Sequence, residues 1–220
     1  MALSSMNSGI QIRRAQPQEE GCVAELIYGA PSNEAAGIAS GVERAAALGK
    51  GLFRAGVGRT ASDDVFLVFR ESDAVGALLA RSSGSNFPSS RRRVLRALPV
   101  ILRLYSPWEL PGLVRRAGLR RRLEFPIPPG SYHIVELHVA PEHRGARLGS
   151  LLLGHAEAVA QERGCSRINL TTALANPALR LYARHGYVEV ARRTVPGYAQ
   201  LTGSPGRAFL EKLLPARRAV

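Results

Sequence analysis

Residues 136–150, ELHVAPEHRGARLGS, bring together the side chains best suited to chemistry in this chain. Glu136 and His138 can take up protons, Arg144 and Arg147 can neutralise an anion, and Gly145 and Gly149 leave the backbone open to close approach. The stretch reads as an apolar strand, a Pro-marked turn, a basic Gly-containing loop and a helix start. Leu148, Leu152, Ala156 and Val159 recur near helical spacing, and Gly164 is a stop signal. A strand feeding a helix through such a loop leaves backbone N–H groups unpaired at the positive end of the helix dipole. That arrangement suits a phosphate or pyrophosphate. Strict two-residue alternation would put Glu136 and His138 on one face of the strand and His133 on the other.

Two nucleotide-binding patterns are excluded by spacing. GARLGS lacks the spaced glycines of a dinucleotide fingerprint and the Gly-Lys-Ser/Thr ending of a P-loop. The stretch resembles motif A of the GNAT superfamily of acyl-CoA-dependent N-acyltransferases, Arg/Gln-x-x-Gly-x-Gly/Ala. Arg144 and Gly149 fit the outer positions, and Arg147 stands where the central Gly usually is. A second stretch, NPALRLYARHGYVEV from Asn176 to Val190, is similar to the family's Asn-led helix carrying Leu-Tyr and ending at Gly-Phe/Tyr. Leu181, Tyr182, Gly186 and Tyr187 match it. Two motifs in order make the resemblance specific over about residues 130 to 214, with an N-terminal continuation.

The resemblance implies an α/β (α+β) GNAT fold, a mixed central sheet flanked by helices. It also implies transfer of an acetyl group from acetyl-CoA, as co-substrate, to a primary amine by direct attack, with no metal. The main chain of Leu137, His138 and Val139 would pair with the pantetheine arm like an added strand. Arg144, Gly145, Ala146, Arg147, Leu148, Gly149 and Ser150 would hold the pyrophosphate. Tyr182 would protonate the departing thiolate, a role for a phenol with a pKa of about 10. Asn176 would add a cofactor contact, or serve only as a helix N-cap. Glu136, directly or through water, is the expected base, because Leu170 occupies the place where some members carry a Glu on the following strand. His143 and His155 read as turn and helix-surface histidines. Homodimers are common among relatives, but no residue here argues for one.

Apolar patterns and turn signals along the chain set these groups on a sheet and its flanking helices. Residues 1–9 read as a disordered tail and 10–214 as one N-acetyltransferase domain, and 215–220 form a basic tail. Residues 10–13 alternate as a strand, and Glu19 and Glu20 head a helix through Val23 and Ile27. Residues 33–57 predict a second helix with interruptions at Gly37 and Gly41. Residues 64–70 and 74–80 form a hairpin of apolar strands. Tyr132–Val139 is the central strand and Ser166–Thr172 the next. Tyr187–Ala191 and Arg207–Leu214 close the sheet around a Pro- and Gly-containing loop at 196–206.

The chain has 220 residues, 45% of them hydrophobic, and a net charge of +13. No apolar run reaches the roughly 18 residues of a membrane span, and MALSSMNSG lacks the pattern of a secretory signal. Cys22 and Cys165 are too few for a disulfide framework, so a cytoplasmic protein is expected. Most of the excess charge lies in residues 91–122, with ten Arg against Glu109 alone. Residues 88–128 read as a helical insertion between the third and fourth strands. Val94, Leu95, Leu98, Ile101, Leu102 and Tyr105 form a stripe expected to pack against the domain, with Pro99 kinking or delaying the helix. Ser106-Pro107-Trp108-Glu109 has capping-box spacing and predicts a second helix. Three roles stay open for the basic face: a solvated surface, a lid for an anionic acceptor or the CoA phosphates, or a surface for nucleic acid or anionic membrane. The last is not favoured, and base stacking on single strands in particular has only Tyr105 and Trp108 to offer.

Overall fold

Residues 10–14, 64–70 and 73–82 are strands, the last two largely apolar, and they open a seven-stranded sheet of order β1-β2-β3-β4-β5-β7-β6. A computed structural model describes residues 9–29, 32–57, 64–83 and 90–215. The tails expected at 1–9 and 215–220 lie almost wholly outside the described residues, as does most of the loop before the insertion. The elements are β1 (Ile10–Arg14), α1 (Glu20–Tyr28), α2 (Asn33–Ala39), α3 (Val42–Arg54), β2 (Asp64–Arg70), β3 (Asp73–Ser82), α4 (Ser90–Leu104), α5 (Leu110–Arg121) and β4 (Ser131–Val139). There follow α6 (Leu148–Glu162), β5 (Arg167–Ala173), α7 (Leu179–Arg184), β6 (Val188–Thr194), α8 (Tyr198–Thr202) and β7 (Gly206–Leu213).

β1 to β4 pair antiparallel, β4 and β5 are parallel, and β5, β7 and β6 are antiparallel. The sheet is covered on both faces. Leu78, Tyr132, Ile134, Ile168 and Leu170 pack under Leu148, Leu152, Leu153 and Ala156 of α6 on one side. Leu67, Ala77 and Leu79 pack against Val23 and Ile27 of α1 on the other. β3 is therefore buried on both faces from Val75 to Ala80. A polar hub fastens this layer. The fully buried carboxylate of Asp64 takes ion pairs from Arg14 and Arg163, and the Tyr132 hydroxyl donates to it at 2.7 Å.

The helix expected at 33–57 is two. Ser40 has φ +64° and Gly41 φ +141°, so the chain turns between α2 and α3. The 196–206 loop contains a short helix, α8, that its Pro and Gly content conceals.

The insertion differs most from expectation. Pro99 does not delay α4, which starts at Ser90 and runs through it to Leu104. The stripe Val94, Leu95, Leu98 and Leu102 is exposed instead of packed. α4 docks on α3 through an adjoining face that holds Ala97, Val100, Ile101 and Leu104, all at least half-sheltered. The reason is close approach. A Cβ on Gly51 of α3 would stand 2.5 Å from Val100 Cγ1, so the helices meet where α3 has no side chain. Tyr105 is buried as expected, its hydroxyl donating to the Ala39 carbonyl at 2.9 Å. The Ser106 amide donates to Glu109 Oε2 at 2.9 Å, the reciprocal bond of the predicted capping box.

Candidate functional site

β4 and β5 pair only over Ser131–Ile134 and Arg167–Leu170. Beyond that point β4 continues to Val139 beside β3 alone, and β5 continues to Ala173 beside β7 alone. The parallel pair thus splays into a gap. Its origin is a bulge on β4: Leu79 faces Glu136 while Ala80 faces Ile134, leaving Val135 as an extra residue.

The bulge resets the strand's faces. Ile134 and Leu137 both belong to the α6-side core, three residues apart, and Val135 packs with the α1-side cluster. His133 therefore shares a face with Glu136 and His138, against the strict alternation expected. His133 Nδ1 lies 2.6 Å from Asn169 Oδ1 of the neighbouring strand.

Hydrogen bonds alternate along an antiparallel pair. The Ala140 amide donates to the Val75 carbonyl at 2.9 Å, so Ala140, His138 and Glu136 turn their main chain toward β3. Leu137 and Val139 turn theirs into the gap. The Arg144 guanidinium donates to the Val139 carbonyl at 3.2 Å from that side. By the same alternation, Leu174 bonding to Gly206 leaves the Thr171 carbonyl facing the gap. There it accepts from Arg207 at 2.9 Å.

Directly after β4 comes the loop 140–147 and the start of α6. The N–H groups from Gly145 to Ser150 have no hydrogen-bond acceptor among the described residues. Arg147 sits at the N-cap with φ +62°, the left-handed region, which explains why a Gly suits this position better. Gly145 has φ +84° and open space where a Cβ would be, whereas a Cβ on Gly149 would press on Leu181 of α7 at 3.0 Å. Ser150 is already engaged through its hydroxyl, 2.9 Å from His185 Nε2.

Tyr182, on α7, is 6% exposed, and its ring meets Tyr187 edge-on at 6.1 Å. Burial, with the charge of nearby Glu136 second, raises its pKa to about 12. Tyr182 is thus brought within electrostatic range of Glu136. Burial also lowers the pKa of His138, with Arg144 adding to the effect. Asn176 has both amide ends engaged: Nδ2 donates to Thr172 at 2.7 Å and Oδ1 accepts from the Ala178 amide at 2.9 Å. It caps the turn into α7. His155 is not a surface residue, since its ring packs edge-on against Phe66 at 4.5 Å. Among the described residues no group of His, Cys, Asp and Glu could hold a metal ion.

The family model described as the acetyltransferase (GNAT) family matches residues 103–187, which span β4, the splayed gap, the amide loop and α7. Over this stretch the chain is similar to GNAT acetyltransferases. No curated protein matches the chain. Solved structures share the fold of the GNAT domain at low identity. The ribosomal-protein-S18-alanine N-acetyltransferase from Escherichia coli is 12% identical, with 96% of this chain and 98% of that one covered and a TM-score of 0.55. The yncA protein from Salmonella typhimurium, crystallised with acetyl-CoA, is 14% identical over 96% and 98%, with a TM-score of 0.54. An N-acetyltransferase from Staphylococcus aureus Mu50 is 15% identical over 94% and 100%, with a TM-score of 0.55. The match marks the chain as an acyltransferase with acetyl-CoA as its acyl donor.

Sequence reasoning missed a second cluster. Glu34 of α2 receives Arg120 of α5 at 2.7 Å, the Tyr198 hydroxyl of α8 at 2.7 Å and Arg207 of β7 at 3.6 Å. Arg116 caps the end of α2 by donating to the Ile38 carbonyl at 2.8 Å. These contacts clamp the insertion to α2 and form an open groove of about 690 Å³, lined by Gly37, Arg115, Arg116, Gly197 and Gln200 among others. The partners come from four distant segments, and no local pattern marks them.

Proposed function

We propose that the protein is an acetyl-CoA-dependent N-acetyltransferase acting on a primary amine by direct attack. The observation that carries this reading is the splayed edge of β4 running straight into six amides without acceptors at the start of α6. The unsatisfied donors, the helix dipole and the charges of Arg144 and Arg147 fit a pyrophosphate. The main chain of Leu137 and Val139 fits an extended amide-bearing arm. His138 keeps its place beside the site through its side chain, and Asn176 serves as a cap.

Bound acetyl-CoA supplies an acyl group already activated as a thioester, so positioning provides much of the remaining acceleration. Glu136 takes the proton of the incoming ammonium, directly or through water. The Tyr182 hydroxyl, kept protonated by burial, gives its proton to the departing sulfur. The groove between α2, α5 and the β6–α8 loop receives the acceptor. The N-acetyltransferase domain covers 10–214 with its insertion at 88–128, and its thiols, Cys22 and Cys165, suit the reducing cytoplasm.

Calorimetry with acetyl-CoA tests the reading, comparing the native chain with Gly149→Glu. That variant places a carboxylate beside the amides and presses on Leu181. Binding by the native chain and its loss in the variant support the site, and thiol release with a panel of amines then reports turnover. Failure of the native chain to bind acetyl-CoA overturns it.

A further inference from the structure

An amphipathic helix on a domain surface normally hides its apolar side, and α4 hides only part of it. Val94 is 62% exposed, Leu95 69%, Leu98 43% and Leu102 53%, and Trp108, in the turn after the helix, is 80% exposed. With Val114 of α5, the insertion holds six of the eleven large apolar side chains exposed among the described residues. At 100° per residue the helix divides into three sectors. Ala97, Val100, Ile101 and Leu104 face α3. Val94, Leu95, Leu98 and Leu102 form an adjoining exposed sector. Arg92, Arg96 and Arg103 fill the third, all exposed. The apolar sector thus has a cationic border, in a segment where ten Arg stand against one Glu.

We propose that this face docks the enzyme on an anionic phospholipid surface, with α4 lying in the interface plane. Leu95, Leu98, Leu102 and Trp108 would enter the acyl boundary, while Arg92, Arg96 and Arg103 meet the headgroup phosphates. Apolar burial and charge attraction together give the stable anchoring that either alone does not. Charge complementarity selects this occupant. A second copy would bring a face of the same sign against it. Nucleic acid would satisfy the arginines but leave the aliphatic side chains without an apolar partner, and the face offers one exposed indole for base stacking. Among the described residues no helix is long and apolar enough to cross a membrane, so the contact is peripheral.

The test is flotation of the full chain with vesicles of phosphatidylcholine alone or with one-third phosphatidylserine. Trp108, the chain's one tryptophan, reports insertion through its emission. Binding at least tenfold tighter to the anionic vesicles, with a blue shift of Trp108, is expected. Leu95→Ser with Leu98→Ser and Leu102→Ser abolishes the blue shift, and Arg96→Gln with Arg103→Gln weakens binding and flattens its salt dependence. These side chains are exposed, and an unchanged circular dichroism spectrum shows each variant folded. Three outcomes overturn the proposal. One is no preference for anionic vesicles. Another is tighter binding to a 30-nucleotide RNA that ignores the Leu→Ser changes. The last is a dimer in sedimentation that the Leu→Ser changes dissolve.

Discussion

Val100 Cγ1 lies over Gly51 so closely that a Cβ there would stand 2.5 Å away. This contact seats α4 on α3 and fixes which of its sides faces solvent. Gly51→Ala adds one carbon to a full space and should destabilise by about 1–3 kcal/mol, as overpacking does. A urea melt checks the value. Acetyl-CoA affinity should be unchanged, because the contact lies outside the proposed cofactor loop.

Asp64 sits at the centre of a buried polar cluster. Its carboxylate, fully buried, is shared by Arg14, Arg163 and Tyr132 and ties β2 to β1, β4 and the end of α6. Asp64→Asn leaves two guanidinium groups without their counter-charge and should cost about 3–5 kcal/mol. A fall in the urea midpoint of that size, with the urea m-value preserved, is expected.

Arg147 carries a left-handed conformation with φ +62° that costs an L-residue about 1–2 kcal/mol. Glycine removes that strain but loses more chain entropy on folding, about 0.5–1 kcal/mol. Arg147→Gly should therefore hold stability level or raise it by up to about 1 kcal/mol. If the guanidinium meets the pyrophosphate, the same variant binds acetyl-CoA severalfold more weakly at low salt. Thermal melting and calorimetry read the two effects separately.

Tyr182 should stay protonated throughout the working range. Its pKa is raised from about 10 to about 12, so burial favours the neutral form. The stability this contributes is complete below pH 10 and lost as pH rises toward 12. Tyr182→Phe should remove that share of the alkaline loss. Its turnover should drop at least tenfold with acetyl-CoA affinity intact, and no Tyr182 limb should appear in the pH–rate profile of the native enzyme below pH 10. A variant with full turnover would remove Tyr182 from the chemistry.

His155 gives the opposite sign. Burial against Phe66 lowers its pKa, so folding favours the neutral ring. Stability from it is present above the ordinary histidine value of about 6.5 and declines as pH falls. His138 is lowered as well, again by burial first. His155→Gln should lessen the loss of stability between pH 7 and 5 without abolishing it, as read from thermal midpoints across that range.

Seven strands, the helix after the amide loop, the Ser106–Glu109 capping box and the resemblance to GNAT acetyltransferases are legible in the residues alone. Each of these is written in nearest-neighbour chemistry: apolar periodicity, a cap, a Pro at a helix start, a loop rich in Gly and Arg. The rest depends on packing between segments far apart in the chain. The Val135 bulge put His133 on the face of Glu136, because register is settled by the partner strand. Gly51 turned the α4 stripe outward, because a missing Cβ on another helix is invisible in the stripe's own pattern. Glu34 met Arg120 and Arg207 across 86 and more residues, and only packing sets such distances.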